Sequence, residues 1–209
     1  MKNIIIIGEP RTGKTTFGKM LLKKYRNYNL IDVDAINHGY YNLMINKAEK
    51  ESSNKISVTF RVKEVQQLMK DIFDYSILYN PDLNYIYDGV NMDVETASQY
   101  NKNDYIILVF GITKLDIEEI IENIIKNEKE DDWTTNLSCR EYYNLANNIL
   151  DNSIKNKKIC KKYNIKFVDT SYNRKRVLED LLNWVERENN NYKKLESWNQ
   201  LPSFLLEIH

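Results

Sequence analysis

Residues 8–15 read GEPRTGKT and follow the apolar run Ile4–Ile7. The octapeptide fits G-x-x-x-x-G-K-[ST], and its reading decides the fold. The pattern has a mechanism only where a strand precedes it and a helix follows. Gly8 and Gly13 permit backbone angles that side chains forbid, so the chain can turn sharply here. Such a turn aims successive backbone N–H groups at one anion. The first turn of the following helix adds its own free N–H groups and the positive end of its dipole. Lys14 is placed to reach β- and γ-phosphates, and the Thr15 hydroxyl suits Mg²⁺. Glu9, Pro10, Thr12 and Thr16 complete the nucleotide-binding turn. Arg11 is the odd member, a large cation in a loop that usually favours small residues.

Working outward, four more apolar runs read as strands beside Ile4–Ile7: Leu30–Val33, Tyr85–Tyr87, Tyr105–Phe110 and Lys166–Val168. They lack clean alternation of polar and apolar residues, which suits a parallel sheet buried on both faces. Helical spacing of apolar residues marks Lys14–Tyr25, Val58–Leu78, Leu115–Ile125 and Arg174–Val185. Strands alternating with helices imply βαβ units. The expected fold is α/β, a three-layer sandwich around a five-stranded parallel sheet.

The chain has 209 residues, enough for one domain with a substantial core. Lys+Arg and Asp+Glu are equal at 30 each, so no global charge draws the protein to nucleic acid or to an anionic membrane. Cys139 and Cys160 form no CxxC, and only two histidines exist, which argues against a zinc cluster or a disulfide framework. Two reduced cysteines and no signal-peptide pattern at the N-terminus point to the cytoplasm.

Two regions break the alternation of strand and helix. Residues 37–57 are polar and weakly periodic, and sit between the second strand and a helix. Residues 126–137, KNEKEDDWTTNL, are strongly charged. Ser138 and Glu141 then have the spacing of a capping box. A helix, a charged loop and another helix describe a lid or, alternatively, a solvated helical hairpin. Residues 1–189 are thus expected to form the domain, and 190–209 a tail that begins as an Asn-rich linker.

The loop is similar to that of the P-loop nucleoside triphosphate-binding superfamily. Further stretches resemble its small-molecule and nucleotide kinase branch, which includes shikimate, gluconate, adenylate and thymidylate kinases. Asp32-Val33-Asp34 resembles the D-x-D of shikimate-kinase-like enzymes. That resemblance implies that Asp32 supports Mg²⁺ and that Asp34 orients or deprotonates the acceptor. Asp88, in Tyr85-Ile86-Tyr87-Asp88-Gly89, resembles the acidic residue that ends a strand in this superfamily, and would serve either metal or acceptor. In related kinases the loop after the last strand lies against adenine, which would give Arg174 or Arg176 a stacking role. The resemblance implies a kinase that uses ATP and Mg²⁺ to phosphorylate a small molecule or nucleotide.

Phosphoryl transfer spreads charge over the moving group, and Mg²⁺, lysine and arginine usually meet it. The lid has one arginine, Arg140, at its far edge, so Arg11 is expected to supply the missing cation and, with Arg140, to meet the developing charge; the alternative is an Arg11 that points to solvent or pairs with Glu9. The resemblance makes residues 37–57 the acceptor-binding region, and Arg61 and Arg140 are the candidates for gripping an anionic acceptor. The alternative is a GTP- or ATP-hydrolysing switch. Thr113-Lys114-Leu115-Asp116 resembles a guanine-specificity motif, but it can equally start a helix, and no Gly follows three residues after Asp88.

Overall fold

The computed structural model describes residues 1–40, 62–128 and 134–199, with the backbone alone for 62–64 and 192–199. Five parallel strands form one sheet: β1 Asn3–Gly8, β2 Tyr28–Asp32, β3 Asn84–Asp88, β4 Tyr105–Gly111 and β5 Lys166–Asp169, in the order β2-β3-β1-β4-β5. The helices are α1 Lys14–Lys24, α2 at residues 33–40, α3 Val62–Tyr79, α4 Val94–Ala97, α5 Ile117–Lys126, α6 Cys139–Tyr163 and α7 Arg174–Asn199.

The run of four isoleucines explains why β1 is central. Side chains alternate across a strand. Ile5 and Ile7 enter the core under α3, α4 and α6, with Met69, Phe73, Tyr87 and Val109. Ile4 and Ile6 enter the opposite core under α1 and α7, with Phe17, Leu21, Phe110 and Leu181. All four are at most 1% exposed. Burying each contributes about 1.5–3 kcal/mol relative to leaving it in water. A third, smaller core joins α5 to α6 through Leu115, Ile120, Ile124, Ala146 and Ile149. The helical pair around the 126–137 segment therefore has its own support.

The sequence reading places all five strands, and two details change. Val33 opens α2 instead of closing β2, because the Asp32 carboxylate caps the helix by accepting from the Ala35 N–H at 3.0 Å. The expected start of α3 at Val58 lies outside the described residues, as do residues 41–57 of the polar region. The Asn-rich stretch after Glu188 is not a linker: α7 continues through Asn199. Asn189 is the reason. It is 2% exposed, accepts from the Lys2 backbone N–H at 3.0 Å and donates to the Tyr28 hydroxyl at 3.3 Å. A buried amide satisfied in this way keeps the helix in place. Among the described residues, no helix is long and apolar enough to cross a membrane.

Candidate active site

The carboxyl ends of β1 and β3 converge where the phosphate loop leaves the sheet. Gly8 has φ 124°, and a Cβ there would lie 2.0 Å from the Phe110 carbonyl oxygen, so no side chain fits. Gly13 stands at φ 94° as the N-cap of α1. Between them, Arg11 takes φ 62°, an uncommon conformation for a residue with a side chain. The loop closes on one carbonyl. Glu9 O accepts from Thr12 Oγ1 at 2.7 Å and from Lys14 Nζ at 2.8 Å. Thr12 is fully buried and Lys14 is 5% exposed. Burial lowers the Lys14 ammonium below the usual lysine range, while Asp34, Asp88 and Glu9 oppose the shift.

A cleft of about 460 Å³ opens beside the loop. Among the described residues its walls carry four cations, Arg11, Lys14, Lys19 and Arg174, against one carboxylate, Asp34. Pro10, Thr15 and Thr16 also line it. Such a surplus of positive charge fits a polyphosphate. Arg174 belongs here because its side chain lies along Gly13: a Cβ on that glycine would stand 3.3 Å from Arg174 Cδ. Arg174 Nε–H is buried and donates to no partner among the described residues. Arg176 instead reaches Asp180, 3.8 Å away on the same helix.

Asp88 ends β3 opposite Ile6 of β1 and Asp32 of β2. It is 3% exposed, and burial pushes its carboxyl up to about 6. Lys14 and a hydrogen bond from the Thr15 hydroxyl restrain that rise. Its Oδ1 is buried with no hydrogen-bond partner among the described residues. A buried carboxylate oxygen without a partner, beside a threonine hydroxyl, is a donor set that Mg²⁺ accepts. Of the two carboxylates left open by sequence, Asp88 is the one that meets Thr15. Asp32 is exposed and caps α2. Asp34 lines the cleft, and its Oδ1 accepts from the Val90 N–H at 3.4 Å.

Arg11 neither points to solvent nor pairs with Glu9. Its NH2 donates to Thr134 Oγ1 at 2.9 Å and its NH1 to the Asn127 carbonyl at 3.4 Å. These partners flank residues 129–133, which with Trp133 lie outside the described residues. Arg11 thus spans the cleft from the loop to the base of the expected lid. Arg140 is not brought to this place. It stands exposed on the first turn of α6 and does not line the cleft. Arg61 lies outside the described residues. Asp116 caps α5: its side chain accepts from the Glu119 N–H at 2.8 Å, and Glu119 returns a bond to the Asp116 N–H. The stretch Thr113–Asp116 thus leads into α5, with Asp116 as its N-cap.

Sequence reasoning missed Lys19. It sits four residues after Thr15 on α1, a spacing that shares one helix face and could have found it. It also missed the partners of Glu9. Asn156 Nδ2 donates to Oε1 at 3.2 Å, and Asn152 Nδ2 to Oε2 at 3.4 Å. No local pattern joins residues about 140 positions apart.

Two solved structures share the architecture. A shikimate kinase from Bacteroides thetaiotaomicron superposes with a TM-score of 0.53 at 12% identity, over 88% of this chain and 98% of that one. A shikimate kinase from Aquifex aeolicus gives 0.50 at 20% identity, over 88% and 96%. Together with the loop and the strand order, these likenesses define the class, a P-loop protein of kinase-like α/β fold. Sequence goes further. A shikimate kinase of Clostridium botulinum (strain Loch Maree / Type A3) is 33% identical over 140 residues, 63% of this chain and 69% of that protein. No family profile matches the chain. On that identity and coverage the chain belongs to the shikimate kinase family, and it is a kinase of the class that acts on small molecules or nucleotides.

Proposed function

We propose that the chain transfers the terminal phosphoryl group of Mg-ATP to a hydroxyl of a small molecule. One observation supports this above the others. A buried lysine in a cation-walled cleft stands beside a buried carboxylate that has a free oxygen and a threonine hydroxyl. Lys14, the loop N–H groups and the first turn of α1 hold the phosphates. Arg174 lies along the nucleotide. Thr15 and Asp88 would hold Mg²⁺, which supplies charge neutralisation between the phosphates when bound. Asp32 adds negative charge nearby. Asp34 orients the acceptor hydroxyl and takes its proton, since it faces the same cleft as Lys14. Arg11 meets the charge that develops on the moving group. Arg61, not Arg140, is the arginine left to grip an anionic acceptor. Shikimate, the acceptor named in the relatives, is the first compound to try.

The test has two parts. Mg-ATP and Mg-GTP are titrated separately into the protein. A panel of hydroxyl acceptors that includes shikimate is then scored for acceptor-dependent ADP release. The reading expects ATP binding and a burst of ADP with one acceptor class. Absence of nucleotide binding, or ADP release that ignores every acceptor, removes it.

A further inference from the structure

Side chains at two alternate positions of the phosphate loop tie it to its surroundings. Arg11 reaches the junction between α5 and α6. Glu9 turns to the other flank, toward the middle of α6. Each of its carboxylate oxygens takes an amide N–H, one from Asn156 and one from Asn152. These asparagines are four residues apart, so they share a face of the helix. The backbone of Glu9 is equally engaged. Its N–H donates to the Phe110 carbonyl at 3.2 Å, and its carbonyl receives Thr12 Oγ1 and Lys14 Nζ. Every polar group of this residue is therefore in use.

The turn itself does not call for an acid at this position, which the motif leaves open. Burial disfavours the charge, and the Glu9 carboxyl lies above the usual carboxylate value; the Asn152 bond and Lys14 offset part of that cost. The outer flank of the loop faces a cleft of about 250 Å³ that Glu9, Asn152 and Asn156 help to line. Hydrogen bonds from Asn152 and Asn156 at that cleft help to hold the first half of the loop.

We propose that Glu9 is a positioning residue for phosphoryl transfer, and that its clamp on Asn152 and Asn156 fixes the loop carbonyl against which Lys14 is aimed. Glu9 acts through Lys14 and touches no substrate. The catalytic consequence rests on the phosphotransferase reading above. The mechanical consequence, a loop held by α6, does not.

Two readouts separate them. The first is amide hydrogen exchange in the ligand-free protein, for Glu9→Ala and for the double variant Asn152→Ala/Asn156→Ala. The clamp predicts that the amides of Glu9 and of residues 11–15 exchange about tenfold faster in both variants while those of β1 keep their protection. The second is kcat and KM for ATP. Both variants should lose roughly tenfold or more in kcat with KM within about threefold, as expected when a reacting group is displaced but binding persists. The triple variant should be no worse than either, because the changes act on one interaction. Glu9→Gln, which keeps the shape and one acceptor, should fall between wild type and Glu9→Ala. Should Glu9→Ala fail to fold, the asparagine pair decides alone. Unchanged loop exchange in the asparagine variant, or additive losses in the triple variant, would overturn the proposal. A wild-type protein that binds no Mg-ATP would overturn the nucleotide reading, and the exchange experiment would still decide the clamp.

Discussion

At the scale of single residues, Asp88 gives a prediction with a definite sign. Its carboxyl lies at about 6 in the folded chain against an ordinary 3.8. The folded protein thus holds this proton more tightly than the unfolded chain. The group contributes fully at pH values below the unfolded value, and that contribution is lost as pH rises through about 6. The total loss is on the order of 3 kcal/mol. In denaturant unfolding of the ligand-free protein, Asp88→Asn should therefore gain on wild type between about pH 4 and 6, then hold its advantage. A constant difference across that range would show that Asp88 is not buried as an isolated acid. Arg11 supplies a second test. Its left-handed backbone costs roughly 1–2 kcal/mol, which glycine would relieve, while glycine deletes the reach to Thr134 and Asn127. Arg11→Gly should leave the unfolding midpoint near wild type and lower kcat by about 10³-fold or more. Normal turnover in that variant would remove Arg11 from the chemistry.

At the scale of elements, helix starts carry much of the local information. Asp32, Asp93, Asp116 and Ser138 each cap a helix, and the last two form reciprocal boxes with Glu119 and Glu141. Asp116 is the informative case, because the same residue could belong to a guanine-reading motif. A cap predicts that Asp116→Ala costs about 1 kcal/mol in urea unfolding and leaves the ATP-to-GTP preference untouched. A changed purine preference would return the residue to base recognition. The closeness of α2 to β3 is also an element-scale constraint. A Cβ on Gly89 would stand 2.6 Å from Val33 Cβ, so this glycine lets α2 bring Asp34 to the site.

At the scale of the molecule, two cores on either side of one sheet hold the loop at their common edge. β1 contributes to both cores and runs directly into Gly8. Ligand binding at that edge should therefore be felt by the global transition. Mg-ATP at 100 times its dissociation constant should stabilise the fold by about 2.7 kcal/mol. Thermal unfolding with and without Mg-ATP measures this. Lys14→Ala should abolish the shift, and a shift that survives in that variant would place the nucleotide elsewhere.

The amino-acid sequence alone determined the sheet, the helix that follows it and the phosphate turn. These are local or periodic signals: four isoleucines that suit a strand buried on both faces, a motif with fixed spacing, a capping box at Ser138. It also pointed to Asp88, at a strand end where ligands bind in parallel sheets, while Asp34 and Arg174 came from the resemblance to related kinases. Tertiary structure alone decided which of those groups meet. It turned Asp32 into a cap and joined Asp88 to Thr15. It sent Arg11 across the cleft, left Arg140 outside, and kept α7 helical through the Asn-rich stretch by burying Asn189. The physical reason is range. Helix and strand periodicities act over a few residues, whereas a carboxylate's partners are set by which distant segments the two cores press together. Glu9 and its asparagines are the clearest instance, since only the packing of α6 against β4 brings them within hydrogen-bonding distance.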